Sequence, residues 1–321
     1  MSQSRSLQRP SAGHETGALL MLTYWIYRGI AALPLRTSYR LARVFAWLTE
    51  FVFRYRIKTV DSNLRNAFPD KPEAWYAQTR HAFYQQFADV AVEALYAWRI
   101  PKEELERRMT LKGWEPLMSD EGTPAPGIIL ALHHTNWEWL TQRASLAAAA
   151  PFDGVYKPLH DKGADRFALE SRGKFGGTLV TMKSIGKYVL KARRANRVLA
   201  LLADQSPGKK EVPYWTDFLN QHTAFFMGPA TLARLTRYPV YFARTRRISR
   251  GHYEAELLEL CTTPGSMSEN ELIERYAQMS EEAIRLQPES YLWSNRRWKL
   301  TPPQATRETS PDDSDVVQPN P

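Results

Sequence analysis

The chain has 321 residues, of which 43% are hydrophobic and 24% charged; this composition is typical of a globular protein and excludes a disordered or fibrous one. Its one cysteine, Cys261, excludes an internal disulfide and a cysteine-based metal cluster. The formal net charge of +9 at pH 7 would suit a nucleic-acid binder, so the location of the excess matters. Residues 1–60 hold nine Lys and Arg against Glu15 and Glu50, which places most of the excess in one N-terminal stretch.

That basic stretch contains two apolar segments. Residues 17–35 are nearly long enough to cross a bilayer, but Arg28 lies inside them and Pro34 closes them. Residues 37–55 are amphipathic, with arginines beside aromatic residues, as in helices that lie on an anionic membrane. A pair of packed core helices is the alternative interpretation. We expect membrane association, and the pattern leaves open whether these segments span the bilayer or lie on it.

The middle of the chain alternates short apolar runs with helical patterns, after a helical region at residues 73–98. The predicted strands are residues 127–132, 154–156, 178–182, 198–203, 239–244 and 253–260. The predicted helices lie near residues 137–149, 161–174, 185–194, 227–235 and 269–286. This alternation predicts an α/β fold with a central, mostly parallel or mixed sheet flanked by helices.

Four regions follow from this pattern. They are a flexible N-terminus (1–16), membrane-associated helices (17–57), one catalytic domain (58–300) and a disordered acidic tail (301–321). No secretory cleavage site follows the first apolar segment, so we expect the catalytic domain to stay in the cytoplasm.

The segment 127–138 is the most informative in the chain. An apolar strand ends in the polar sequence HHTNWE, which begins at His133, and a helix follows. Sites of open α/β sheets form at the carboxyl ends of their strands. Across a strand-to-helix turn, the carboxylate of Glu138 can accept a hydrogen bond from the imidazole of His133 and fix its tautomer. Such a pair predicts a general base that takes a proton from a hydroxyl group.

Two other interpretations of this segment are open. An isolated H-x4-E pattern also fits a core histidine and a surface glutamate. A metal site could use His133, His134 and Glu138, but the remaining histidines form no second half of such a site. The chain lacks a G-x-S-x-G elbow, a P-loop and a G-x-G-x-x-G motif. We therefore expect neither a metal nor a cofactor.

Residues 133–138 resemble the H-x4-[DE] block of the lysophospholipid acyltransferase superfamily, in the form common in the lipid A biosynthesis lauroyl and myristoyl acyltransferase family. Further segments similar to that family's blocks follow in its order and, together, cover about residues 18–300: 63–69 (NLRNAFP), 156–158 (YKP) with Arg172, 201–207 (LLADQSP), 218–229, and 291–299 (YLWSNRRWK). Asn295 stands where many relatives have histidine, so it is assigned no catalytic role.

The resemblance implies a glycerolipid acyltransferase-like fold and a membrane-associated enzyme. In that family a fatty acyl chain moves from an acyl carrier protein thioester to a hydroxyl of a lipid A precursor, without a covalent enzyme intermediate. The catalytic residues implied are His133 and Glu138. The substrate-binding residues implied are Asn136, Lys157, Arg172, Asp204, Gln205, Arg296 and Arg297.

Other functions stay open at this point. The acceptor could be a lysophospholipid, an aminolipid or another glycolipid, and the donor could be coenzyme A; a non-catalytic peripheral membrane protein is a further alternative. We expect the bacterial inner membrane as the location, with the catalytic domain on its cytoplasmic face. No nucleic-acid partner is expected, because the basic residues cluster beside membrane-like segments.

Overall fold

The computed structural model describes residues 13–118, 123–192, 195–208, 211–263 and 265–302, with side chains described from Leu22 onward. Most of the predicted flexible N-terminus and nearly all of the predicted acidic tail therefore lie outside the described residues. The first helix begins at Gly13, so the last residues of the predicted N-terminal segment are helical.

The helices that position the site alternate with the strands in the second half of the chain. The α-helices are α1 (Gly13–Ala31), α2 (Leu35–Trp47), α3 (Ile57–Ala67), α4 (Glu73–Tyr96), α5 (Lys102–Arg108), α6 (Glu115–Met118), α7 (Trp137–Ala147), α8 (Lys162–Arg172), α9 (Ile185–Ala192), α10 (Gly228–Thr236) and α11 (Glu269–Leu286). A π-helical turn (Leu48–Val52) extends α2, and a 3-10 turn (Pro288–Ser290) follows α11.

Seven strands form one mixed sheet in the order β1-β9-β8-β2-β5-β3-β4, and two form a separate antiparallel hairpin, β6–β7. The strands are β1 (Met109–Lys112), β2 (Gly127–Ala131), β3 (Phe152–Tyr156), β4 (Thr178–Thr181), β5 (Val198–Leu202), β6 (Pro213–Phe218), β7 (Gln221–Phe226), β8 (Val240–Ser249) and β9 (His252–Cys261). Within the large sheet only the β8–β9 pair is antiparallel. The predicted α/β class with a mostly parallel or mixed sheet flanked by helices is confirmed.

Strand β2 lies at the centre of the sheet between β8 and β5, and all five of its residues are buried. Its uninterrupted apolar sequence GIILA fits a strand that is covered on both faces. Ile128 belongs to the core on one face, with α4 and α11, whereas Ile129 belongs to the core on the other face, with α7. The alternation of a strand thus divides one apolar run between two cores.

The register of β2 and β5 determines which residues meet beyond their ends. The two strands pair in parallel, and the last residue of β2, Ala131, is opposite the last residue of β5, Leu202. His133 and Asp204 therefore both follow their strand by two residues. Polar residues that leave two adjacent parallel strands at the same level come together at the sheet edge.

Helices α1 and α2 lie in the N-terminal region where the sequence predicts helices, and the sequence left open whether they span a membrane. In the described part of the chain, none of the helices combines the length and the apolar character needed to span a bilayer. Helix α2 turns a stripe of small residues, including Ala42 and Ala46, against α4, where they contact Ala88. Its large apolar side chains, such as Val44 and Phe45, lie on the exposed face.

Candidate active site

His133 and Asp204 form a hydrogen-bonded pair at the carboxyl ends of β2 and β5. The Nδ1 atom of His133 lies 2.7 Å from Oδ1 of Asp204, and the backbone N–H of His133 donates to Oδ2 at 3.2 Å. The Asp204 side chain is 1% exposed and the His133 side chain 17%. One carboxylate thus fixes both the ring and the backbone of His133, which assigns the ring proton to Nδ1 and leaves Nε2 as the acceptor.

The electrostatics of the pair agree with this assignment. Burial alone would raise the pKa of Asp204, but the electrostatic interaction and the hydrogen bonds with His133 outweigh burial and hold that pKa below its usual value. The Gln205 side-chain amide lies 3.3 Å from Nε2 of His133, and the Trp137 ring packs edge-on against the imidazole with centroids 5.2 Å apart. His133 is held in one orientation, and its free nitrogen faces a polar group at the site.

Glu138 does not make the hydrogen bond that the sequence predicts. Its carboxylate accepts two hydrogen bonds from Arg172, at 2.8 and 2.6 Å, and one from the indole of Trp137 at 3.2 Å. Glu138 lies in the first turn of α7 and faces the end of α8, whereas His133 lies before the helix and faces β5. The predicted His133–Glu138 hydrogen bond is therefore wrong, and Asp204 takes that place.

The pair of Glu138 and Arg172 is a bidentate ion pair with side chains 15% and 21% exposed. Burial by itself raises the pKa of Glu138, but the charge of Arg172 has a larger, opposite effect. The pKa is therefore below its usual value, and the carboxylate stays ionised. The charge of Glu138 in turn raises the pKa of Arg172. Nε and Nη2 of Arg172 are used in this pair, and Nη1 has no hydrogen-bond partner among the described residues.

The two adjacent histidines have different surroundings. His134 is 2% exposed, and its Nε2 donates to the carbonyl of Gln287 at 3.0 Å. Burial lowers the pKa of His134 to about 4, so this ring is neutral at physiological pH. Of these two rings, that of His133 lines a cavity and that of His134 does not.

A cavity of about 390 Å³ opens beside His133. Its polar lining includes Lys157, Arg172 and Gln205. Its apolar lining comes from α7 and the underside of the sheet, namely Ile129, Ala131, Leu140, Ala144, Phe152, Leu179, Ala200 and Leu202. A second apolar cavity of about 210 Å³, between α9 and α10, shares Val155 and Met182 with it. The site therefore combines an accessible imidazole with an apolar space.

A larger cavity of about 510 Å³ lies at the opposite end of the sheet, between α10 and the start of α11. Arg234, Arg237 and Cys261 line it, and none of the predicted site residues does so among the described residues. Size alone does not identify the site here, because the perturbed titratable groups and the predicted residues converge on the cavity beside His133.

The remaining predicted residues fall into two groups. Lys157 lines the cavity and Arg296 is exposed, so both are accessible to a substrate. Asn136 is fully buried and caps α7 by accepting a hydrogen bond from the backbone N–H of Trp139 at 2.9 Å. It is thus out of reach of a substrate in this structure.

Arg297 also differs from the prediction of substrate contact. It is 2% exposed, its Nη1 donates to the carbonyl of Ala224 at 2.8 Å, and its guanidinium lies 4.5 Å from the Phe225 ring centroid. Burial lowers the pKa of Arg297, and the nearby acidic groups Tyr291 and Asp204 oppose that effect. A guanidinium enclosed in this way is out of reach of a lipid phosphate in this structure, so a substrate contact of Arg297 stays a prediction.

The structure also connects blocks that are distant in sequence. The side-chain amide of Asn63, in the NLRNAFP block, donates to the backbone carbonyls of Trp293 and Asn295 in the last block.

Among the described residues, no group of three or more His, Cys, Asp or Glu side chains could hold a metal ion.

Comparison with known proteins identifies the family. The sequence profile of the bacterial lipid A biosynthesis acyltransferase family matches residues 9–300. The chain is also similar to the lipid A biosynthesis lauroyltransferase of Escherichia coli (strain K12), with 23% identity over 298 residues, covering 89% of this chain and 95% of that protein. The chain belongs to the bacterial lipid A biosynthesis acyltransferase family, and it is an acyltransferase.

Proposed function

We propose that this acyltransferase moves a fatty acyl chain from an acyl carrier protein thioester to a hydroxyl group of a lipid A precursor, with His133 as general base. The observation that carries the proposal is the His133–Asp204 pair at the mouth of the apolar cavity. The pair supplies a proton acceptor, and the cavity supplies a place for the acyl chain. The E. coli relative, named as a lauroyltransferase of lipid A biosynthesis, supports the choice of acceptor and of a fatty acyl donor.

The chemistry needs no covalent enzyme intermediate. Nε2 of His133 takes the proton of the acceptor hydroxyl while its oxygen attacks the thioester carbonyl carbon. The tetrahedral intermediate expels the thiolate, which takes the proton back from the imidazolium. Asp204 keeps the proton on Nδ1 and stabilises the imidazolium, the same role that a carboxylate has in a hydrolase triad. Arg172, held by Glu138, supplies positive charge for the oxyanion or for a phosphate of the acceptor.

The acyl chain fits the part of the cavity that continues away from His133 below α7. Leu140 and Ala144 of α7 cover this part, and Phe152 and Leu179 of the sheet lie beneath it. An apolar chain is stabilised there by about 25 cal/mol per Å² of surface removed from water. The thioester carbonyl would then lie at the polar mouth, beside His133 and Gln205.

The carrier protein would approach over a basic rim at the carboxyl ends of β3 and β4. Lys157 follows β3, Lys183 follows β4 and Lys187 lies in α9, and all three are exposed. Lys157 also lines the cavity. Such a rim suits the acidic surface of a carrier protein, because charge complementarity speeds association and orients the partners.

The apolar surface of α2 and its π-helical extension supports a membrane location. Its exposed large side chains are Leu41, Val44, Phe45, Trp47, Phe51, Val52 and Phe53, the last 69% exposed. Arg36, Arg40 and Arg43 are exposed beside them. Contiguous apolar patches of this kind mark interaction sites, and neighbouring arginines favour an anionic lipid surface. We place the enzyme at the cytoplasmic face of the inner membrane, with this surface in the lipid headgroup region.

The function is tested with the purified full chain, an acyl carrier thioester and a lipid A precursor in detergent micelles, with mass-spectrometric detection of the product. We expect transfer by the wild type and a loss of about 10²–10⁴-fold in His133→Gln. His252→Gln, which changes an exposed histidine on β9, is the matched control. Transfer to a lysophospholipid but not to the lipid A precursor would reject the proposed acceptor, and full activity of His133→Gln would reject the proposed base.

The membrane location has its own test. Sedimentation with vesicles that contain phosphatidylglycerol should bring down the wild type and much less of the Phe51→Ser/Phe53→Ser variant. Ile248→Ser removes an apolar side chain of similar exposure, 60%, from β8 and serves as the control. Equal sedimentation of the three proteins would contradict the assignment of this surface.

A further inference from the structure

A buried carboxylate behind the active site contacts three other elements of the fold. Glu93, near the end of α4, is 0% exposed. It accepts hydrogen bonds from the hydroxyls of Tyr39 in α2 and Tyr253 in β9, each at 2.6 Å, and from the side-chain amide of Asn136 at 2.7 Å. Burial raises the pKa of Glu93, and the two tyrosine hydrogen bonds oppose that rise. The mechanism proposed above does not use this group.

Asn136 has two partners, and together they fix its orientation. Its Oδ1 accepts the hydrogen bond from the Trp139 backbone that begins α7, and its Nδ2 donates to Glu93. Glu93 accepts hydrogen bonds from two hydroxyls and from this amide, so it presents an acceptor to Nδ2, and with the Trp139 N–H on Oδ1 it selects one orientation of the amide. The indole of Trp139 donates to the backbone carbonyl of Glu93 at 3.0 Å, which attaches α7 to α4 a second time.

The turn that Asn136 closes needs such support. Thr135 has φ of 54°, in the left-handed region that β-branched residues rarely adopt. A residue in that conformation is strained, and it persists only where its surroundings fix it. His133 lies two residues before this position and Glu138 three residues after it, so the turn determines where both side chains lie.

We propose that Glu93 is a positioning residue: through Asn136 it holds the β2–α7 turn in the conformation that places His133 on Asp204. The hydrogen bond from Tyr39 connects the same carboxylate to α2, whose outer face carries the exposed apolar surface. Activity as a readout rests on the proposed function, whereas the His133–Asp204 hydrogen bond can be measured independently of it. The strongly hydrogen-bonded Nδ1 proton of His133 should give a downfield proton NMR signal that is lost in Asp204→Asn.

The test exchanges donor and acceptor between two residues. Glu93→Gln leaves one acceptor oxygen for the three donors that surround the carboxylate, and Asn136→Asp places two carboxylates against each other. Each single variant should lower kcat by about 10–10²-fold, with little change in KM, and should weaken the downfield signal. In the double variant Glu93→Gln/Asn136→Asp, the amide at position 93 donates a hydrogen bond to the carboxylate at position 136. That carboxylate can still accept the hydrogen bond that caps α7. It should recover kcat to within about threefold of the wild type and recover the signal.

Controls separate positioning from general stability. Glu104→Gln changes another carboxylate that accepts from a tyrosine hydroxyl, Tyr96 at 2.8 Å, without contact to the turn, and it should leave kcat and the signal unchanged. If Glu93→Gln does not fold, Asn136→Ser keeps the capping oxygen and removes the Nδ2 donor, and it should lower kcat and weaken the signal.

Three results would overturn the proposal: an unaltered signal in both single variants, a double variant as impaired as the singles, or an Asn136→Ser protein with the kcat and signal of the wild type. A wild type that shows the signal but transfers no acyl chain would reject the proposed function. The positioning role would then be judged on the signal, which Glu93→Gln must weaken and the double variant must recover.

Discussion

The β2–α7 turn has a cavity side and a core side, and the two differ in what their polar groups contact. On the cavity side, His133 has one ring nitrogen on Asp204 and the other beside Gln205 and open space. On the core side, His134 and Asn136 are buried against fixed protein partners. The comparison teaches that the accessible side chain of His133 is positioned by a backbone whose adjacent side chains, His134 and Asn136, are buried and hydrogen-bonded within the protein.

The largest expected effect comes from the cavity side. Asp204→Asn preserves the shape of the pair, but the amide presents either a donor to Nδ1 or an uncharged acceptor, so the required tautomer and the imidazolium are both destabilised. We expect kcat to fall on the order of 10³–10⁴-fold. The control is Asp217→Asn, since Asp217 makes a similar contact to His222, at 3.1 Å, but with a 91% exposed side chain. A near-normal kcat of Asp204→Asn would show that the cavity side does not depend on the His133–Asp204 pair for catalysis.

The core side of the turn should make the free energy of unfolding depend on pH. The pKa of His134 is lowered by burial from the usual 6.5 to about 4, so below pH 6.5 the unfolded chain binds a proton that the folded chain does not. The free energy of unfolding therefore falls as pH drops from 6.5 to 4, by about 3 kcal/mol from this residue. Urea denaturation of His134→Gln between pH 7 and 4.5 should show a correspondingly smaller decline.

The control for that experiment is His222→Gln, because the His222 side chain is 51% exposed. Its pH dependence should match that of the wild type. If the free energy of unfolding of His134→Gln falls with acid as steeply as that of the wild type, the buried, neutral His134 is not the cause of the decline.

The α/β class of the fold was predictable from the sequence because strands buried on both faces leave long apolar runs, as in 127–132 and 198–203. The site was predictable only in part. His133 was identifiable from its place after such a run, but its carboxylate was assigned to Glu138, which is near it in sequence. The correct partner, Asp204, also follows an apolar run by two residues, and this signal becomes informative only when β2 and β5 are known to be neighbours in register. Long-range pairing is not contained in local periodicity.

Burial was the second quantity that local pattern did not supply. Arg296 and Arg297 are adjacent cations in the sequence, yet one is exposed and the other enclosed beside Phe225. Glu93 gave no signal either, because its hydrogen-bond partners come from three other parts of the chain. Buried polar groups with distant partners are positions at which a single sequence is least informative.

The pair of Glu138 and Arg172 offers a smaller effect that tests whether it belongs to the chemistry or only to the structure. Glu138→Gln leaves a largely buried guanidinium without its counter-ion and should cost about 2 kcal/mol of stability, less than a fully buried pair because both side chains keep some exposure. The double variant Glu138→Gln/Arg172→Gln removes both charges and should recover most of that stability, as measured by urea denaturation.

Activity then decides the role of Arg172. If its charge acts on the oxyanion or on an acceptor phosphate, the stable double variant should still have kcat/KM reduced by about 10²-fold or more. A double variant that recovers both stability and kcat/KM would place this pair with the core side of the turn, as a structural support without a substrate contact.

The smallest effect concerns the basic rim outside the turn. Lys157→Glu/Lys183→Glu should raise KM for an acyl carrier protein thioester by about threefold to tenfold at low salt, because rim charges act mainly on association. The effect should shrink above about 0.3 M salt, where screening is stronger. Kcat should change little, and KM for the matching N-acetylcysteamine thioester should change less, since that small donor carries no charge. Lys102→Glu, in α5 at the other edge of the sheet, provides the control. Equal increases in KM for both donors would show that these lysines act on the acyl thioester itself, which would extend the reactive region from the cavity side of the turn to the ends of β3 and β4.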